Sequence, residues 1–241
     1  MLTIQLPKAI LFDLDNTILA NDASAPRHWG QAFARFASRL GGLDTQQLLV
    51  AMTDIRRQYM ADPNWDAWAR VNLTASRRAL VVLAFSRLGV DTGELADEIV
   101  AAYREIREES REIFPGAIDA LKRIREMGKG MALISNGLSS SQRGKIDRAG
   151  LEPLFDCIII EEEFGVGKPD PSIFRHALEQ LAVQPWDAVM VGDNLHADIA
   201  GAQSLGIGTV WVDWEGKGLP KGSPATPDRT VRSIAELIGQ P

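Results

Sequence analysis

The chain has 241 residues, which at roughly 150 residues per domain allows one or two domains. Hydrophobic residues make up 45% and charged residues 24%, a globular balance that excludes a disordered or fibrous chain. Lys and Arg number 26 against 32 Asp and Glu, a net charge of −6, which argues against a nucleic-acid binder with its basic face.

The first residues, Met1 to Lys8, show no basic region followed by an apolar stretch. The run Ala9-Ile10-Leu11-Phe12 is continuously apolar, as for a strand covered on both faces of a parallel sheet. From Pro26 to Ile113 the pattern turns helical. Trp29, Phe33, Phe36, Ala37 and Leu40 recur at three- and four-residue spacing, with Pro26 placed at N1 of the helix and Gly41-Gly42 at its end. Further helices are expected over 45–61, 65–88 and 93–111, broken by Asp62-Pro63-Asn64 and Gly89-Val90-Asp91. The longest apolar run, Ala79 to Phe85, falls far short of the about 20 residues of a membrane span, so a soluble, cytoplasmic protein with no membrane partner is expected.

After Pro115-Gly116 the chain alternates. Helices are expected over 117–127, 139–149, 171–181 and 197–205, and strands over 131–134, 157–160, 188–191 and 209–212. Such alternation implies a doubly wound parallel α/β sheet with helices on both faces. Residues 213–228 read as a surface loop, and Ser233-Ile234-Ala235-Glu236 as a capping box before a short last helix. The expected architecture is a core of residues 1–18 and 115–241 interrupted by an all-helical insert, residues 19–114. Hinges are expected at 19–25 and 110–116. Cys157, the single cysteine, has no partner for an internal disulfide and reads as a small core residue before Ile158-Ile159-Ile160.

Chemistry-bearing residues gather where strands end, which is where open α/β sheets bind ligands. Asp13-Leu14-Asp15-Asn16-Thr17 follows the first strand, and its paired carboxylates call for a nearby cation or a shared proton. Ser135-Asn136-Gly137 offers a hydroxyl and an amide to an anionic oxygen, although Asn-Gly is also an ordinary turn. Lys168 precedes Pro169, which biases it toward an extended conformation, and Asp170 is placed to cap the next helix. Gly192-Asp193 ends another strand with Asp198 five residues on, hard oxygen ligands of the kind that suit Mg2+. Read alone, Asp198 is equally a charge complementing a helix dipole.

The order of these four motifs resembles the haloacid dehalogenase-like superfamily, in its phosphatase branch with a helical type 1 cap. The matching residues are Phe12-Asp13-Leu14-Asp15-Asn16-Thr17, Ser135-Asn136, Lys168-Pro169 and Gly192-Asp193 with Asp198. The resemblance runs from Ala9 to about Ala235 and implies a Rossmann-like core with residues 19–114 as the cap. It implies Asp13 as a nucleophile forming an aspartyl-phosphate, and Asp15 as general acid and then general base. It further implies that Thr17, Ser135, Asn136 and Lys168 meet the phosphoryl group. Asp13, Asp193 and the Asp15 main-chain carbonyl would hold Mg2+, with Asp198 one step behind, directed at water or Lys168.

The expected partner is a small phosphorylated metabolite, a nucleoside 5′-monophosphate or a sugar phosphate. Residues 192–202 and 209–212 are similar to the nucleotidase and N-acylneuraminate-9-phosphatase neighbourhood, and also to phosphoglycolate phosphatases. Dehalogenase, phosphotransferase and catalytically silent phosphate-binding readings stand as alternatives. No Gly-x4-Gly-Lys-Ser/Thr, Gly-x-Gly-x-x-Gly, Gly-x-Ser-x-Gly or His-Glu-x-x-His motif occurs. His28, His176 and His196, the Trp65–Trp68 pair and Arg70, Arg77 and Arg78 are weaker candidates, each with an ordinary packing or surface role available to it.

Overall fold

The computed structural model describes residues 7–60, 65, 68–69, 72–109 and 112–238. Strand β1 (Ala9–Phe12) is followed by helices α1 (Asn21–Arg35), α2 (Thr45–Met60), α3 (Leu73–Arg87) and α4 (Leu95–Glu109). An alternation then follows: α5 (Ala117–Glu126), β2 (Gly130–Ser135), α6 (Ser139–Arg148), β3 (Cys157–Ile160), α7 (Glu161–Phe164), α8 (Pro171–Gln180), β4 (Ala188–Gly192), α9 (Gly201–Gln203), β5 (Gly208–Val212) and β6 (Arg229–Val231). The chain divides into two compact units, Met1–Asn21 with Arg111–Pro241, and Asp22–Ser110.

The first unit is the doubly wound α/β core. Its six strands pair in parallel in the order β3-β2-β1-β4-β5-β6. The strand order reverses between β1 and β4, which puts the ligand-binding crevice at their carboxyl ends. Side chains alternate between two apolar layers, as the two-residue strand period requires. Ile10, Phe12, Met131 and Leu133 pack with α5 and the last 3-10 helix, while Ala9, Leu11, Ala132 and Ile134 pack with Ile173, Phe174 and Ala177 of α8. Burial on both faces explains why β1 reads as an unbroken apolar run.

The second unit is helical around its own core. Phe33, Leu48, Ile55, Val81, Phe85, Ile99 and Tyr103 are buried together, and Trp29 stacks on Tyr103 with ring centroids 3.8 Å apart.

Three local features depart from the sequence reading. Pro26 lies inside α1, not at its start, because burial of Ser24 and Ala25 keeps the chain helical upstream despite the missing N–H. The boundary between the two units falls after Asn21, within the segment 19–25 expected as a first hinge, where Ala20 N–H bonds Glu112 O at 2.9 Å and α1 begins. Strand β6 was not anticipated, being only three residues long. The expected helix at 197–205 is a π-helical turn, Leu195–Ala200, running into α9. The Asp62-Pro63-Asn64 break, Arg70, and Ser110 and Arg111 of the second expected hinge lie outside the described residues.

Phe12 is fully buried and meets Phe155 edge to face at 6.0 Å. Phe12→Ala is expected to cost about 3–5 kcal/mol, read from urea unfolding. A loss under about 1 kcal/mol would show that this layer collapses readily around the gap.

Candidate active site

Asp13 continues the line of β1, its N–H bonding Val191 O at 2.9 Å on β4. Its carboxylate is therefore fixed at the switch point, where it is 7% exposed. Oδ1 lies 2.6 Å from Lys168 Nζ, whereas Oδ2 is buried with no hydrogen-bond partner among the described residues. Lys168 Nζ also lies 2.7 Å from Asp198 Oδ1, so one buried ammonium bridges two buried carboxylates.

Each member of this cluster is held from its own strand end. Asp198 sits on the wide π turn, where its Oδ2 accepts from Asn194 N–H at 2.9 Å. That close approach needs Gly192, since a Cβ there would lie 2.3 Å from Asp198 Oδ2. Lys168 is set by Asn136, whose Oδ1 accepts from the Lys168 N–H at 2.8 Å and whose Nδ2 donates to the Lys168 carbonyl at 2.7 Å. Gly167 gives Asn136 room, for a Cβ there would lie 2.8 Å from Asn136 Oδ1. Asn136, expected beside the phosphoryl group, thus spends both ends of its amide on the Lys168 main chain.

Charge is unbalanced here. One oxygen each of Asp13, Asp193 and Asp198 lie within 4.8 Å of one another, with Lys168 among them. Burial pushes the Asp13 carboxyl up to about 7; Lys168 opposes the rise, and Asp198 and Asp15 add to it. Burial works against the Lys168 ammonium, but Asp13 and Asp198 together outweigh it and hold it charged. A further cation beside Asp13 and Asp193 would relieve the carboxylates. The donors are all hard oxygens, a set that fits a small divalent ion.

Asp15 stands apart from that group. The chain turns at Asn16, at a φ of 62° that asparagine tolerates, and the Asp15 carboxylate meets Asn21 Nδ2, Lys145 Nζ and Gln142 Nε2. Gln142 Nε2 also lies 2.8 Å from Ser135 Oγ and 2.6 Å from Asn136 O, so its two hydrogens are shared among three acceptors. Ser135 is buried, and Thr17 is fully buried with no hydrogen-bond partner for Oγ1 among the described residues. Gln142 and Lys145 were not singled out in the sequence. Their signal was Gln and Lys three apart on the helix after Ser135-Asn136, on one face.

The weaker candidates that are described have ordinary packing or surface partners. His176 packs on Phe164 at 5.0 Å, and His196 is exposed. In the helical unit, Trp65 packs between Tyr59 and Trp68, Arg77 lies over Tyr103, and Arg78 pairs with Asp97. Burial pushes the Cys157 thiol up to about 11, which removes it as a nucleophile.

A model of the family described as haloacid dehalogenase-like hydrolase matches residues 7–206. The chain belongs to the haloacid dehalogenase-like hydrolases. It is therefore an enzyme, and its curated relatives are phosphatases and nucleotidases. It is 30% identical to a glyceraldehyde 3-phosphate phosphatase of Methanopyrus kandleri over 96% of this chain and 95% of that one. Against an N-acylneuraminate-9-phosphatase of Rattus norvegicus it is 28% identical over 95% and 92%. Against the pyrimidine 5′-nucleotidase YjjG of Escherichia coli it is 38% identical over 63% of this chain, a match spanning only 64% of that protein. In structure it is similar to the HAD-hydrolase YfnB of Bacillus subtilis, with a TM-score of 0.74, 22% identity and 97% of each chain covered. That likeness agrees with the α/β fold.

Gly192→Ala is expected to force Asp198 aside at a cost of about 1–3 kcal/mol, measured by urea unfolding. Wild-type stability in that variant would show that Asp198 has room to give.

Proposed function

We propose that this haloacid dehalogenase-like hydrolase is a Mg2+-dependent phosphatase acting on a small phosphomonoester through an aspartyl-phosphate. The observation that carries the reading is the Asp13 carboxylate, with one oxygen on Lys168 at 2.6 Å and the other buried without a hydrogen-bond partner among the described residues. A carboxylate arranged so has one oxygen fixed and one oxygen free for phosphorus.

In the first half-reaction an Asp13 oxygen attacks phosphorus, the bond from phosphorus to the ester oxygen breaks, and Asp15 gives its proton to the departing oxygen. In the second, water gives a proton to Asp15 and attacks phosphorus, and the bond to Asp13 breaks, releasing inorganic phosphate. Asp15 thus serves as acid and then base. Lys168 neutralises charge that spreads over the phosphoryl oxygens in the transition state, and Ser135 donates its hydroxyl to one of them. Asp13, Asp193 and the Asp15 carbonyl would hold Mg2+, with Asp198 behind them on Lys168; the ion would supply positive charge to the phosphoryl oxygens.

The same reading takes residues 1–18 and 115–241 as the catalytic core and 19–114 as a cap that selects the alcohol portion. A sugar phosphate or nucleoside 5′-monophosphate is the proposed substrate. The two relatives matched over nearly their full length are named for sugar-type phosphates, which favours the former. A cytoplasmic location belongs to the proposal, in keeping with a single cysteine.

Phosphate release from a panel of sugar phosphates and nucleoside 5′-monophosphates tests this. Activity is expected with Mg2+, to vanish with a chelator, to return when Mg2+ is restored, and to fall to background in Asp13→Asn. Near-normal turnover by Asp13→Asn would overturn the nucleophile. Transfer to an added alcohol, or halide release from a haloacid, in place of phosphate release would overturn the reaction class.

A further inference from the structure

Asp15 is held more firmly than its position on a turn requires. Lys145 Nζ reaches both of its oxygens, at 2.9 Å and 2.7 Å. Asn21 Nδ2 meets Oδ1, and Gln142 Nε2 lies 3.2 Å from Oδ2. Lys145 spans both oxygens and Asn21 adds to Oδ1, while Gln142, closer to Asn136 O and Ser135 Oγ, gives Oδ2 a weaker contact that leaves that oxygen a lone pair for the acid proton. An ammonium astride both oxygens, with an amide on either side, fixes the carboxylate plane as well as its place.

The donors on α6 are themselves braced. Gln142 is 3% exposed, and its side-chain amide reaches Ser135 Oγ and Asn136 O as well as Asp15. Because Asn136 O and the Asp15 carboxylate only accept, the Nε2 end of Gln142 must face them. The start of α6 is pinned by α7: Gly137 N–H bonds Glu161 Oε2 at 2.8 Å, and Ser139 N–H bonds Glu162 Oε2 at 2.6 Å. The side chains of Lys145 and Asp15 are 17% and 31% exposed, so their pairing in itself adds little stability. What such a rigid bracket does supply is orientation.

We infer that Lys145, braced by Gln142, is a positioning residue that aims the Asp15 carboxyl at the ester oxygen. This rests on the acid role given to Asp15 above. Lys145 and Gln142 need not touch substrate; they act through Asp15, and Gln142 ties that aim to Ser135 on the phosphoryl side.

The test uses leaving-group chemistry. An alkyl ester oxygen must be protonated as it departs, whereas p-nitrophenolate leaves readily as its anion. kcat/KM covers events up to formation of the phospho-enzyme, so it isolates the acid step. Lys145→Met, Lys145→Arg and Asp15→Asn are compared with wild type on p-nitrophenyl phosphate and on the best alkyl phosphate of the panel. In Lys145→Met the alkyl-to-aryl ratio of kcat/KM is expected to fall about tenfold or more, part of the ~10²–10⁴ that general acid–base catalysis supplies. Lys145→Arg is expected to recover much of the ratio. The inhibition constant of inorganic phosphate is expected to stay within about twofold, since phosphate is bound elsewhere.

An equal loss on both substrates in Lys145→Met, with Asp15→Asn showing the selective loss, would overturn the positioning role and leave the acid role standing. A tenfold weaker inhibition by phosphate with the ratio unchanged would make Lys145 a substrate-binding residue and likewise overturn it. If Asp15→Asn itself leaves the ratio unchanged, the acid role of Asp15 falls, and the inference with it.

Discussion

Two buried carboxylates sharing one buried ammonium constrain the core unit most severely. Removing Asp13, Lys168 and Asp198 from water is costly, and pairs of this kind are weak stabilisers compared with apolar residues of similar size. Among the described residues their arrangement also leaves one Asp13 oxygen without a hydrogen-bond partner, beside the carboxylate of Asp193. The cluster makes physical sense as a site in which a cation and a phosphoryl group complete the balance.

The fold meets that constraint by bringing separate strand ends together. The β3-β2-β1-β4-β5-β6 order places β1 between β2 and β4, so Asp13 lies between Ser135 at the end of β2 and Asp193 just after β4. Lys168 comes from the loop before α8, and Asn136 clamps its main chain from the end of β2. Gly192 and Gly167 matter for the space they leave open, because a Cβ at either position would run into Asp198 or Asn136. On this frame Asp15 is set by a second set of partners, Lys145, Gln142 and Asn21.

Much of this was legible in the sequence, for identifiable reasons. Strand β1 is covered on both faces, so Ala9–Phe12 shows an unbroken apolar run, and the motif residues sit at strand ends where the chain changes texture. Asp13, Lys168 and Asp198 could be named because acids and a lysine immediately after apolar strands are conspicuous. Asn136 could be named but not assigned its clamp, since an amide beside a serine suits either a ligand or a main-chain partner. Gln142 and Lys145 carried only a weak signal, their three-residue spacing, because polar residues on a short helix ordinarily face solvent; their direction depends on how α7 pins the start of α6. The π turn at 195–200 and Pro26 inside α1 escaped for a related reason: tertiary burial overrode local propensity.

The account turns on which atom accepts the phosphoryl group. Quenching the enzyme during turnover of its best phosphate ester, reducing with borohydride and mapping the chain by mass spectrometry tests this directly. Reduction of an acyl phosphate at Asp13 converts that residue to homoserine, and the account predicts this change at residue 13 and nowhere else. Steady phosphate release with Asp13 unmodified, or a reducible adduct on another residue, would contradict it.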